Sequence, residues 1–218
     1  MAPAAAIAGK PDMEYSPATR QSSQATAFPS LGTGTQRLRG QTPEQACHVG
    51  TMLFHPHRLQ IRGTGPRFEM TAAASHTGAF TIATLRYTTP VTVSTNPYET
   101  AYQVNVALKG TFKTTVGQQQ LEISNGRAAV YRPDVDTAFS GWDRPCLMLA
   151  IKIDRQVFER IASVHLGRQL ETPIDFSPHL HVQDGPGAAW LASVRRLAGV
   201  ARQNWTGATL WATPWNTV

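Results

Sequence analysis

The chain has 218 residues, of which 16% are charged, and a formal net charge of +6. That length is enough to bury a substantial core in one large domain or two small ones. No stretch supplies the ~20 consecutive apolar residues that span a bilayer. The short run Ala4–Ala8 falls below the ~7–15 residues of a secretory signal, so the sequence predicts a soluble, cytoplasmic protein.

The positive charge is dispersed: residues 1–45, 46–154 and 155–218 carry +1, +3 and +2. Binding to nucleic acid through charge needs a concentrated basic face. The densest spot here, Arg195, Arg196 and Arg202, reads as the solvated side of a helix. Cys47 and Cys146 stand far apart without CxxC spacing and predict two unpaired thiols rather than a disulfide framework.

Residues 1–40 are dominated by Ala, Ser, Thr, Gln, Pro and Gly with no sustained period, and are predicted to be a disordered leader. A folded unit is expected over 41–153. Thr42-Pro43-Glu44-Gln45 is a helix start, with Thr42 as N-cap, Pro43 at the first helical position and Gln45 closing a capping box. That helix should reach about Phe54 and end at His55-Pro56-His57.

From Phe68 the pattern is that of strands, with Pro90 marking a bend and Thr, Val, Ile, Leu and Tyr filling 80–93. In 101–108, Tyr102, Val104, Val106 and Leu108 alternate with Gln103 and Asn105. Further strands are expected over 111–116, 121–124, 127–132 and 146–153. Asn125-Gly126 is the strongest hairpin signal in the chain. In the last strand Leu147, Leu149, Ile151 and Ile153 share one face. Closely spaced strands with tight Gly turns predict an antiparallel barrel or sandwich over 68–153.

Residues 154–203 should be helical. Asp154 caps a helix to about Leu166, with Val157, Phe158 and Ile161 as its apolar stripe and Gly167 as its stop. A second helix should begin near Pro186, with Trp190, Leu191, Val194, Leu197, Ala198 and Ala201 on one face. The first helix should cover the barrel, leaving the second stripe for a partner subunit. The competing arrangement packs that stripe on its own barrel. Residues 204–218 contain no charged group and three of the five tryptophans, an atypical tail.

His55-x-His57 and His179-x-His181 have metal-compatible spacing, but both pairs are expected in turns and 80–153 contains no histidine. No GxSxG elbow is present, and Asp134 and Asp136 follow Pro133 in a turn pattern. The sequence therefore points away from an enzyme, and no cofactor or metal is expected. Polar and aromatic groups on the strands, namely Arg86, Tyr87, Gln103, Asn105, Tyr131, Arg132 and Trp142, are candidates to orient a small molecule in a largely apolar pocket. Alternation alone does not say which strand face lies inside.

The ordered set His57-Arg58-Leu59, 84–93 (TLRYTTPVTV), 102–110 (YQVNVALKG) and 123–133 (ISNGRAAVYRP) resembles the N-terminal effector-binding domain of AraC-type bacterial transcription regulators. The likeness runs from about Thr42 to Ala201. It implies a mainly β, cupin-like antiparallel barrel followed by two α-helices. It further implies a small-molecule effector and a homodimer paired through Trp190, Leu191, Val194, Leu197 and Ala201. DNA would be bound only through a helix-turn-helix domain, which the sequence does not show, so the chain is expected to be a truncated regulator. A small metal-dependent cupin-type enzyme is the alternative expectation.

Overall fold

A computed structural model of the chain describes residues 35–63, 67–142 and 146–203. The chain forms β1 (Gln36–Gly40), α1 (Pro43–Leu53), β2 (Arg58–Ile61), β3 (Met70–Thr77), β4 (Phe80–Tyr87) and β5 (Val91–Thr95). It continues with β6 (Ala101–Lys109), β7 (Phe112–Val116), β8 (Gln119–Ile123), β9 (Arg127–Tyr131), β10 (Thr137–Trp142) and β11 (Leu147–Asp154). It closes with α2 (Arg155–Leu166), β12 (His179–His181) and α3 (Gly185–Gln203).

The strands form two antiparallel sheets, ordered β1-β3-β4-β11-β6-β9-β12 and β2-β5-β10-β7-β8. Their facing sides share one core. The larger sheet contributes Ala72, Leu85, Tyr87, Tyr131, Met148 and Ala150, and the smaller contributes Val91, Phe112, Leu121, Ile123, Phe139 and Trp142. The architecture is the mainly β, cupin-like one with C-terminal helices that the sequence predicts, with two facing sheets that do not close into a continuous barrel.

Two expectations are corrected at the N-terminal side. Gln36–Gly40, placed by composition in a disordered leader, pairs residue for residue with β3 from Gln36↔Ala74 to Gly40↔Met70. Leu38 packs on the core, so strand pairing and one apolar contact outweigh a polar neighbourhood. Likewise the sheets do not begin at Phe68, since β2 pairs with β5 from Arg58↔Ser94 to Ile61↔Val91. Residues 1–34 and the tail 204–218 lie outside the described residues.

α1 starts at the N-cap that the sequence predicts, but Gln45 reaches back to Gln41 rather than to Thr42, so the expected capping box is not closed. The Gln45 backbone N–H donates to Thr42 Oγ1 at 3.3 Å, and Gln45 Oε1 accepts from the Gln41 backbone N–H at 2.9 Å. Pro43 occupies the first turn, and Ala46, Val49, Gly50 and Leu53 form the buried side. Close packing requires glycine at position 40, because a Cβ there would stand 2.7 Å from the Ala46 backbone nitrogen.

The Asn125-Gly126 turn is real, but it does not make a hairpin. Arg127 N–H donates to Ser124 C=O at 3.1 Å and Gly126 has φ +87, while Asn125 keeps a negative φ. Two-residue hairpins need primed turns, which match strand twist; a turn with only its second central residue at positive φ splays the strands. β8 therefore stays with β7 in one sheet, and β9 crosses to pair with β6 in the other.

A second core lies on the outer side of the larger sheet. Ile82, Val104, Val106, Ala128, Leu149 and Ile151 are buried there with Val182, Leu191 and Val194. The sheet is thus covered by α3, where the sequence predicts the first helix to cover it. α3 covers the sheet, and its Leu191 and Val194 are each only 5% exposed. These two residues are covered by their own chain. Trp190 and Ala198 are partly buried on the same core, and Leu197 is exposed. Ala201 belongs to α3, with a side chain outside the described ones.

α2 has no buried residue. Asp154 caps it by accepting from Val157 N–H at 2.9 Å, and Gly167 ends it in the left-handed region at φ 63. Phe158 meets Tyr102 with ring centroids 4.8 Å apart, and the Tyr102 hydroxyl donates to Glu159 at 3.0 Å. Ile161 and Val164, neighbours on one face, are exposed, with Val164 at 75%, and so is Leu166 near the end of the helix.

Candidate functional site: a cavity between the sheets

A cavity of about 60 Å³ opens between the sheets beneath the end of α1. Strand parity decides which candidate residues reach it. Leu85 and Tyr87 of β4, Gln103 of β6 and Met148 and Ala150 of β11 face inward, while Phe139 and Trp142 of β10 and Val93 and Thr95 of β5 close the opposite wall. Gly50, Phe54, His55 and His57 form the roof. On β11 the large residues Leu149 and Ile151 point outward to α3, so the inner wall is made by the smaller pair. Space for a ligand results.

Of the residues picked from sequence, Tyr87, Gln103 and Trp142 line this cavity. Tyr87 meets Trp142 edge to face at 4.8 Å, and burial holds its hydroxyl protonated far above the usual range. Asn105 is fully buried just behind: Gln103 Nε2 donates to Asn105 Oδ1 at 2.9 Å. Tyr131 is also buried, and its hydroxyl donates to Thr114 Oγ1 at 3.2 Å, within reach of the Asn105 side chain.

Two candidates point elsewhere. Arg86 lies between inward-facing Leu85 and Tyr87, so it projects from the opposite face. There it lines a shallow groove of about 350 Å³ with Arg37, Arg39, Thr71 and Thr84. Arg132 follows the last residue of β9 and ion-pairs with Asp134 at 2.6 Å and with Asp175. The pairing pushes the Asp134 carboxyl below its ordinary range. Arg132 ties a turn to the segment after α2.

The roof escaped the strand-based reading because it belongs to the end of a helix. His55 stacks on Tyr98 with centroids 3.9 Å apart and planes 7° from parallel. Burial, the nearby Lys152 ammonium and His57 push its pKa down to about 3, so it is neutral. His57 Nδ1–H donates to the His55 C=O at 2.9 Å, since a carbonyl oxygen can only accept. Lys152 Nζ donates to Phe54 C=O at 2.6 Å, tying the end of α1 to β11. Two buried polar atoms of the lining residues have no hydrogen-bond partner: His55 Nε2 and Gln103 Oε1. Such orphans are uncommon in folded proteins and mark a place for water or a ligand.

His179 and His181, expected in a turn, instead form β12 on the sheet edge and are exposed. Among the described residues, no three His, Cys, Asp or Glu side chains are grouped to hold a metal ion. Cys47 and Cys146 are both free thiols, as expected, and burial pushes Cys146 up to about 11.

Two facing sheets with a cavity between them, and a C-terminal helix against the outer face of the larger sheet, define a cupin-like fold. Residues 46–214 match the model of the AraC-binding-like domain, and the chain belongs to that family. It is 33% identical over 172 residues to the "Probable thc operon regulatory protein" of Rhodococcus erythropolis, covering 78% of this chain and 52% of that protein. The chain thus spans about half the length of that relative. Its fold is similar to that of the AraC-like transcriptional activator CuxR, with a TM-score of 0.51 and 11% identity over 81% of this chain and 64% of the other. A cupin superfamily protein from Desulfitobacterium hafniense DCB-2 overlaps 43% of this chain and 83% of its own, at a TM-score of 0.35 and 16% identity.

Proposed function

We propose that this chain is the effector-sensing part of an AraC-type transcription regulator, with the cavity between the sheets as the effector site. The observation that carries this reading is the coexistence of empty space with two buried, unpartnered polar atoms on its wall. Family membership and the likeness to AraC-like regulators support it. Tyr87, Gln103 and Trp142 touch the effector; Asn105 and Tyr131 position Gln103 from behind. Arg86 and Arg132 have no part in it. The domain works by binding, without catalysis.

We propose that a second copy pairs through α2 rather than α3, since Ile161 and Val164 share one exposed face of α2. α2 and α3 are separated by β12, so they do not make a helix-turn-helix. Operator DNA would be read by a module not contained in these elements. No helix among the described residues is long and apolar enough to cross a membrane. Regulation of transcription would place the protein in the cytoplasm.

Thermal unfolding of the purified chain against a small-metabolite library tests the reading. A compound that raises the midpoint of wild type, and loses that effect in the cavity-filling variant Met148→Trp, supports it. Stabilisation by every active compound that persists in Met148→Trp and in Ala150→Val rejects it.

A further inference from the structure

We propose that the cavity takes an uncharged, compact, largely apolar molecule with one hydrogen-bonding head, an alcohol or an amide, and discriminates against carboxylates, amines and sugars. This rests on the reading of the cavity as the effector site. Its wall carries aromatic and aliphatic groups, Phe54, Leu85, Tyr87, Phe139, Trp142 and Met148 among them, and no Asp, Glu, Lys or Arg. An ion entering such a space loses its hydration without gaining a counter-charge.

The nearest cation does not change that balance. Lys152 is engaged by the Phe54 carbonyl and does not line the cavity. His55 stays neutral because burial and Lys152 both oppose its protonation, so it cannot serve as a cation for an anionic ligand. A cationic ligand would in turn be repelled by Lys152.

The two unpartnered atoms define the head group. Gln103 Oε1 needs a donor, because its own Nε2 is spent on Asn105. His55 Nε2 can donate in one neutral tautomer. A hydroxyl, which donates and accepts at one oxygen, or an amide, with its N–H and C=O on one carbon, carries both of the functions that these two atoms lack. A sugar would bring several hydroxyls to a wall on which His57, Thr95, Tyr98 and Trp142 already have protein partners, leaving the surplus hydroxyls buried and unsatisfied. At about 60 Å³ the space admits only a handful of heavy atoms unless the roof at Phe54 and His55 moves outward.

Ligand-observed NMR on the purified chain with millimolar butanol, butyramide, butyrate, butylammonium and glucose tests this. Butanol and butyramide should bind, butyrate and butylammonium about tenfold more weakly, and glucose not at all. His55→Phe, which keeps a ring on Tyr98 but removes Nε2, should weaken butanol about tenfold. Binding should disappear in Met148→Trp, with Ala150→Val as the milder filling variant if the first does not fold. Butyrate or butylammonium binding as tightly as butanol, and lost in the filled variants, overturns the ligand class while the cavity reading stands. Probes that bind regardless of filling overturn the cavity reading itself. Failure of all five to bind overturns the ligand class.

Discussion

The His55 imidazole lies parallel on the Tyr98 ring at 3.9 Å and is held neutral down to about pH 3. The unfolded chain titrates this group near its ordinary 6.5, so between about pH 6.5 and 3 the unfolded state binds more protons. Stability therefore rises with pH across that window and falls as the solution is acidified, by up to about 1.4 kcal/mol per pH unit. His57, also pushed down by burial, acts in the same direction. Urea unfolding from pH 7 to pH 4 should show a falling midpoint in wild type and a flatter profile in His55→Phe. Identical profiles would reject the assignment.

Helix roles can be separated by one charge on each. Leu191→Asp puts a carboxylate into the core between α3 and the larger sheet and should cost about 4 kcal/mol of stability. Val164→Asp sits on exposed α2 and should leave the unfolding midpoint within about 0.5 kcal/mol of wild type. If α2 pairs two chains, sedimentation should find Val164→Asp monomeric where wild type is a dimer. A monomeric wild type at tens of micromolar would remove α2 pairing.

The Gln103–Asn105 amide pair is buried, so its halves should not be separable. Asn105→Ala leaves the Gln103 amide N–H without its acceptor and should destabilise by about 1–3 kcal/mol. Replacing both amides by Leu should cost less than the sum of the two single changes, because no orphan remains. A double-mutant cycle from denaturant unfolding measures the difference, and strict additivity would contradict the pairing.

Gly40→Ala probes whether β1 belongs to the folded unit. The added Cβ would press on the Ala46 backbone, which cannot rotate away as a side chain would. A loss of about 1–3 kcal/mol is expected. An unchanged midpoint would mean that β1 contributes nothing to the fold.

Helix ends were the most legible part of the sequence. Thr42, Pro43 and Gln45 at the start of α1, and Asp154 and Gly167 around α2, act through neighbouring backbone groups, so local spacing suffices to find them. The inward and outward sides of β6 and β11 were not legible, because both sides are buried and alternation no longer distinguishes core from solvent. That is why no residue of β11 was among the site candidates, although Met148 and Ala150 line the cavity. Arg86 was misplaced for the same reason: its strand position was right and its side was unknown. The roof residues Phe54 and His55 enter the site only through the tertiary packing of α1, and His55-Pro56-His57 signalled a helix end and a metal spacing rather than a cavity wall.

β11 sits between β4 and β6, hydrogen-bonded along both edges, and carries cores on both of its faces. Such a strand has no side on which solvent can reach its amides without the whole domain opening. Its amide protons should thus be among the last to exchange with heavy water, while those of edge strand β12 exchange early. For the same reason a saturation mutational scan of β11 should show no every-other-residue rhythm of tolerance. The strand least able to open thus lies under the cavity, through Met148 and Ala150, with α1 and the turn after it above.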